Sequence, residues 1–507
     1  MAMRRGSSLI VVLVVLAFPA GAGAFGPVSS FGSWGTGPGQ FEPEGGIAIG
    51  ANSHTYVADY VNGRVDEFGA DGSFVRFFGS LTEPEGVAVA ANGDVYAADL
   101  GGNRIVVYSA EGVFLREFGS TGEGAGQMTE PSGLAFDPAS GNLFVSDKGL
   151  ARIDVFTPGG SFVRAFGKEV KLGGGGDTCT VETGCKKGLT GGEAGRVIRV
   201  RGIAFSPASG RLYLADELNQ RIDVFTPDGE FLFAFGKGVK GAGGGEGDIC
   251  TKVTACHAGL EEPIAGAIGD PLWLAFDREG SLNVSTIVNH RIDVFSAGGE
   301  FLRAFGEGVA DGQPVFQTCT TVCQAGLVNT TPRSGSLMTP EGLAIDCGGG
   351  LQVLEVEDQA VDNFARIERF GEFTDPVPPC EEKEPVRVTL RKTSPPRLRV
   401  RIRLHPKLGT ATASVSTGRT LGALRLRGGR IHHIFRRAVQ SPSCIPDRGC
   451  RLARLTIRAT GKAKLQLNET GSAQVKFSIA FTPQGSTTAL AKSRILTLRK
   501  NPGKEGR

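Results

Sequence analysis

The chain has 507 residues, with 55 Lys+Arg against 52 Asp+Glu, 76 glycines and 10 cysteines. Its near-neutral net charge of +3 conceals two unlike parts: residues 381–507 hold 28 basic and 6 acidic residues, and the remainder holds 27 basic and 46 acidic. This length and asymmetry exclude a single small domain and predict a boundary near Cys380, where TDPVPPCEEKEP reads as a linker over 376–385.

Residues 1–24 read as a secretory signal peptide. Arg4 and Arg5 form the charged start, Leu9 to Phe18 a short apolar run, and Ala22-Gly23-Ala24 a small-x-small cleavage site. An uncleaved anchor is the alternative, and the arginine pair is a weak hint of twin-arginine export. No later segment reaches the ~18 consecutive apolar residues of a spanning helix. A secreted or cell-surface chain without a transmembrane segment after signal cleavage is therefore expected.

From residue 25 to about 375 one unit recurs. RIDVF is spelled at Arg152–Phe156, Arg221–Phe225 and Arg291–Phe295. Six Phe-Gly ends (Phe78, Phe118, Phe166, Phe235, Phe305 and Phe370) each follow the same series of short runs. In the clearest copy, Pro84 to Gly119, the runs GVAVA, DVYAAD, RIVVY and VFLREFG are separated by turn residues, the pattern of antiparallel strands. Four strands per unit at this period predict the blades of a six-bladed β-propeller. Ile and Phe of RIDVF are expected in the seams between blades, with Arg and Asp on the other side of the strand. The last unit lacks a fourth strand, and Val28–Trp34 reads as a fourth strand with no blade before it. The N-terminal strand is thus expected to complete blade six, against Arg366–Phe370.

Pro84, Gly86 and Ala88, the Tyr96–Asp99 strand, Asn103-Arg104 and the closing Phe118-Gly119 resemble the NHL-repeat family, as does the passage Phe31–Gly46. The resemblance covers roughly residues 28–371 and implies the same six-bladed propeller. Some six-bladed propellers are metal-dependent lyases or lactonases, with His and carboxylate ligands in the axial channel. Here His54 and His290 are the only blade histidines, both in turns, so an enzyme is the alternative reading.

Three inter-blade links are long, 168–199, 237–270 and 307–339, and strand direction places them on one face. Each holds a close cysteine pair: Cys179/Cys185, Cys250/Cys256 and Cys319/Cys323. Cys444/Cys450 is a fourth pair, and Cys347 and Cys380 remain over. Close pairs in an exported chain predict disulfides, with zinc the rival. The links read either as stiffened binding fingers or as passive decoration.

The mouth of the channel on that face is expected to be lined by the residue after each entry proline: Glu44, Glu85, Ser132, Arg201, Leu272 and Glu341. Glu341, Glu44 and Glu85 should cluster, opposite Arg201 and Trp273, the latter standing where other blades have Gly. The three carboxylates are a candidate site for Ca²⁺ or a cationic ligand; no other cofactor or metal is implied. Asp59, Asp99, Asp147 and Asp216, each five residues before an arginine, read as turn braces because they recur. Blade five breaks the pattern at Thr286, and Asn289-His290 is either a specialised spot or drift.

Residues 386–500 alternate again, as in RLRVRIRLHP, and resemble Ig-like modules of bacterial surface proteins, predicting a small β-sandwich before a disordered tail at 501–507. The charge of this region favours an anionic envelope polymer over specific nucleic acid, since Phe435, Phe477 and Phe481 are its only aromatic residues. The sequence thus predicts a non-catalytic binding or scaffold protein for a protein or glycan partner.

Overall fold

The computed structural model describes residues 25–371 apart from 242–246, 329–332 and 358–362, and the backbone of strands between Val386 and Arg499. The leader, the linker, the tail, Cys380 and Cys444 lie outside the described residues.

Each repeat folds as one antiparallel sheet. Blade one pairs Ile47–Ile49, Thr55–Asp59, Arg64–Phe68 and Phe74–Phe78 in that order. Blade two begins at Pro84, blade three at Pro131, blade four at Val200, blade five at Pro271 and blade six at Pro340. Strands two and three meet at a tight turn whose last residue adopts positive φ: Gly63, Asn103, Ala151, Gln220 and His290. Gly63 does so at no steric cost, and asparagine tolerates that region better than most residues.

Closure runs as the strand count requires. Pro27–Phe31 pairs antiparallel with Phe364–Phe370, from Pro27 opposite Phe370 to Phe31 opposite Ile367. The closing strand is shorter than expected, because Ser33–Trp34 turns away to pair in parallel with Gln40–Phe41. Phe31 takes the place of a blade's closing phenylalanine. Its ring lies 5.2 Å from Phe68 of blade one, as Phe118 lies 5.0 Å from Phe156, Phe166 5.7 Å from Phe225 and Phe235 5.2 Å from Phe295. Six apolar clusters fill the six seams, including one between blades six and one built on Ile47, Val57, Leu354 and Ile367.

The expectation for RIDVF is corrected by the period of two along a strand. Ile153 and Val155 enter the seam with blade four, whereas Phe156 enters the seam with blade two. Arg152 and Asp154 share the phenylalanine's side and are fully buried there. Both faces of a blade are covered, so no side of the strand is left for exposed charge.

A second correction concerns the three long links. They are not free fingers, because each returns a short strand to the outer edge of its blade. Thr178–Cys179, Ile249–Cys250 and Phe316–Cys319 pair antiparallel with the fourth strands, setting Cys179 opposite Ala165, Cys250 opposite Ala234 and Cys319 opposite Ala304. Blades three to five are therefore five-stranded. The cysteines themselves face inward. Cys179 and Cys185 pack with Ala165 and Val170, and Cys319 and Cys323 pack with Ala304 and Val309, so each pair closes a turn within its own link and packs that turn against the blade.

In the basic region, strands pair into two three-stranded sheets and a two-stranded ribbon, with Leu398–Leu404 between Val386–Arg391 and Cys450–Ile457. The side-chain packing that would define an Ig-like sandwich lies outside the described residues.

Candidate functional site

At the axis, inner strands approach too closely for any side chain at the third entry position. A Cβ on Gly45 would stand 2.3 Å from the Glu85 carbonyl oxygen, one on Gly86 2.0 Å from that of Ser132, and one on Gly133 2.2 Å from that of Arg201. The glycine of each Pro-x-Gly entry is thus a packing requirement. Blade five carries Trp273 instead, buried, with its indole against Gly46 of blade one, where a Cβ would meet the ring at 2.6 Å. The tryptophan thereby fills space that a side chain on Gly46 would need.

Two columns of residues frame the mouth on the link face. One is the predicted entry column; the other is the residue after the repeated Asp or its counterpart on strand two, as Tyr60, Leu100, Lys148, Glu217, Ile287 and Val356. Sequence reasoning missed this second column, although the residue after each repeated Asp was a readable signal. Their charges interlock. Arg201 donates from Nη1 to Glu85 Oε1 at 2.8 Å, across blade three, and from Nε to Glu217 Oε2 at 2.9 Å. Lys148 Nζ donates to the other Glu85 oxygen at 2.9 Å. Burial works against the Arg201 charge, but Glu85, Glu217 and Glu341 outweigh it and hold its pKa above the ordinary arginine value.

Glu85 is therefore bound by two cations instead of forming a bare triad with Glu44 and Glu341. Those two carboxylates share a cavity of about 350 Å³ with Trp34, Pro43, Val61, Thr339 and Val356. Tyr60 stands beside it; burial, then Glu83 and Glu44, push its phenol up to about 12. Among the described residues, no group of three or more His, Cys, Asp or Glu side chains is placed to hold a metal ion.

Asn289 and His290 join the links, not this mouth. Asn289 is buried and donates to the Ala267 carbonyl at 3.4 Å, and the His290 ring meets the Met338 carbonyl. The three link pairs are disulfides. Cα–Cα distances are 5.3 Å for Cys179–Cys185, 5.2 Å for Cys250–Cys256 and 5.5 Å for Cys319–Cys323. Cys347 is also disulfide-bonded. Such bonds indicate an oxidising compartment. No helix among the described residues is long and apolar enough to cross a membrane.

The repeated arginines and aspartates form buried braces. Arg221 Nε lies 2.9 Å from Asp223 and 3.7 Å from Asp216, and its guanidinium donates to the carbonyls of Gly192, Glu193, Arg196 and His257 in the two flanking links. Asp216 in turn accepts the Ile198 amide at 2.7 Å, as Asp59 accepts that of Glu42 at 2.8 Å. Blades one, three and four hold two aspartates per arginine. Burial, then the second carboxylate, push Asp66 up to about 8 and raise Asp147 and Asp216 well above the usual range. Thr286 makes chemical sense here. Its hydroxyl sits 3.1 Å from Asp293 Oδ2 and donates to the Arg291 carbonyl at 3.0 Å, replacing a carboxyl that would otherwise have to keep its proton.

The NHL repeat model matches residues 81–108, within the copy that spells the unit most clearly. No curated protein matches the sequence. Similar solved structures include a streptogramin B lyase, at 12% identity over 69% of this chain and 100% of that one with a TM-score of 0.42. Another is a virginiamycin B lyase from Staphylococcus aureus, at 12% identity over 67% and 96% with a TM-score of 0.39. A third is a putative gluconolactonase, at 14% identity over 68% and 94% with a TM-score of 0.39. At such identity the likeness says nothing about chemistry. With the fold and the matched segment together, the chain is an all-β, six-bladed propeller carrying an NHL repeat.

Proposed function

We propose that this chain is an exported, non-catalytic binding protein. Its link-face mouth takes a protein or glycan partner, and the basic region 386–500 docks it to an anionic envelope polymer. One observation carries the reading: the charged groups of the mouth are engaged with one another. Glu85 is held by Arg201 and Lys148, and Arg201 by Glu217. Such a network fixes a surface for recognition, where a hydrolase would need an acid or base poised toward substrate.

A glycan and protein screen on the full chain tests this, comparing wild type with Glu44→Gln/Glu341→Gln. Binding that is lost in the double variant, with the thermal transition unchanged, is the expected result. Lactone hydrolysis that disappears on chelation would replace this reading with the metal-dependent lyase or lactonase alternative.

A further inference from the structure

Cys347 sits in the turn between the first two strands of blade six, and it is disulfide-bonded. Of the other nine cysteines, six are engaged among themselves, as Cys179–Cys185, Cys250–Cys256 and Cys319–Cys323. The partner of Cys347 is therefore one of Cys380, Cys444 and Cys450. Cys444 and Cys450 are six residues apart, the separation of the first two link disulfides, and that spacing suits a bond between them. Cys380 is left.

Reach favours the same partner. Phe370 stands opposite Leu351 in the ladder between the last two strands of blade six, so the chain leaves the wheel beside the turn that carries Cys347. A Cβ on Gly371 would lie 3.9 Å from the Cα of Gly350, three residues from Cys347. Cys380 follows Gly371 by nine residues, a stretch that spans up to about 30 Å when extended and so returns to that turn with ease. The turn is a fixed anchor. Asp346 Oδ1 accepts the amides of Gly348, Gly349 and Gly350 at 2.7, 2.8 and 2.9 Å, and the Cys347 carbonyl accepts a hydrogen bond from the Arg278 guanidinium of blade five.

We propose that Cys347 is bonded to Cys380, which latches the linker to blade six and tethers the basic region on the face opposite the long links. The entry prolines begin their strands on the link face, so the strand one–two turns lie on the other, and Phe364–Phe370 ends there too. Tethering at that face leaves the mouth on the far side of the propeller from the tether. The basic region then has two covalent routes to the wheel, and a cut between 371 and 380 does not release it. Forming the bond takes two protons and two electrons from the two thiols and reduces the disulfide of an oxidoreductase of the export compartment. The latch stands independently of what the mouth holds.

The test uses the full chain, alkylated with N-ethylmaleimide, denatured and cut with trypsin without reductant. Peptides 334–366 and 370–383 are expected as one linked species that splits on reduction. A protease site inserted after Thr374 should, once cut, leave one band on a non-reducing gel and two under reductant. Cys380→Ser is expected to open the Cys347 thiol to maleimide while the three link disulfides stay closed. Peptide 334–366 linked to Cys444 or Cys450, or Cys347 alkylated in the wild-type chain, would overturn the proposal.

Discussion

Blades two and four are written from the same sentence but embedded differently. In blade two, Arg104 keeps a third of its side chain exposed and pairs with Asp99 and Glu117, both at 2.8 Å. In blade four, Arg221 is fully buried and its guanidinium is surrounded by carbonyls of two long links. The long links are therefore not appended to a finished blade. They supply the groups that satisfy the blade's own arginine and add a fifth strand to its edge. Decoration and framework stabilise each other, so the disulfide turns are displayed at fixed positions.

The comparison breaks most visibly at the two arginines. Arg221→Ala strands two buried carboxylates and several carbonyls and should cost about 3–5 kcal/mol, whereas Arg104→Ala should cost about 1 kcal/mol or less. Urea unfolding of the two variants measures the gap, and equal losses would refute the idea that the links complete blade four. Replacing Cys250 and Cys256 together by serine should remove about 2 kcal/mol by the chain-entropy model. That loss should be read by hydrogen exchange within 237–270, with the amides of blade two unchanged.

The aspartate pairs predict a pH slope. A buried carboxyl whose folded pKa is raised contributes stability that is full below its unfolded value and is lost as pH rises through the folded one. With Asp66 pushed up to about 8, stability should fall between about pH 4 and pH 8. Asp66→Asn should flatten that slope, measured as a smaller drop in Tm from pH 5 to pH 9. Blade five, where Thr286 replaces the second carboxyl, keeps one buried carboxyl, Asp293, whose pKa burial also raises, so its contribution should have the same sign without the push of a neighbouring carboxylate. The smallest effect concerns turn geometry. Ala255 has φ 59° where the equivalent residue of the first disulfide turn is Gly184, at φ 65°. Ala255→Gly should gain up to about 1 kcal/mol, visible as slower exchange in the second turn.

The architecture was legible because repetition made it so. Six Phe-Gly ends, a missing last strand and an orphan first strand led to the closed ring, and close cysteine spacing led to the disulfides. The fifth strands were not legible, since a two-residue strand such as Thr178–Cys179 carries no periodic signal. Nor was the Glu85–Arg201 pair, whose members are 116 residues apart and join blades that are not neighbours. The sides of the RIDVF strand were legible by simple alternation, but both sides being buried follows only from blade stacking. Thr286 read as a lapse in the pattern, and only its contact with Asp293 shows why a hydroxyl serves there.

The clasp that shuts the ring has a consequence for how the chain is made and held. Pro27 and Phe370, its two ends, are 343 residues apart in sequence, so nearly the whole wheel must emerge before the first strand finds its place. The Gly371 amide donates to the Gly26 carbonyl at 2.9 Å, so the polypeptide enters and leaves the wheel at one point. Tension between the two ends therefore peels the ladder open from the Pro27–Phe370 pair, one hydrogen bond after another, so the wheel is clasped at its mechanically softest geometry.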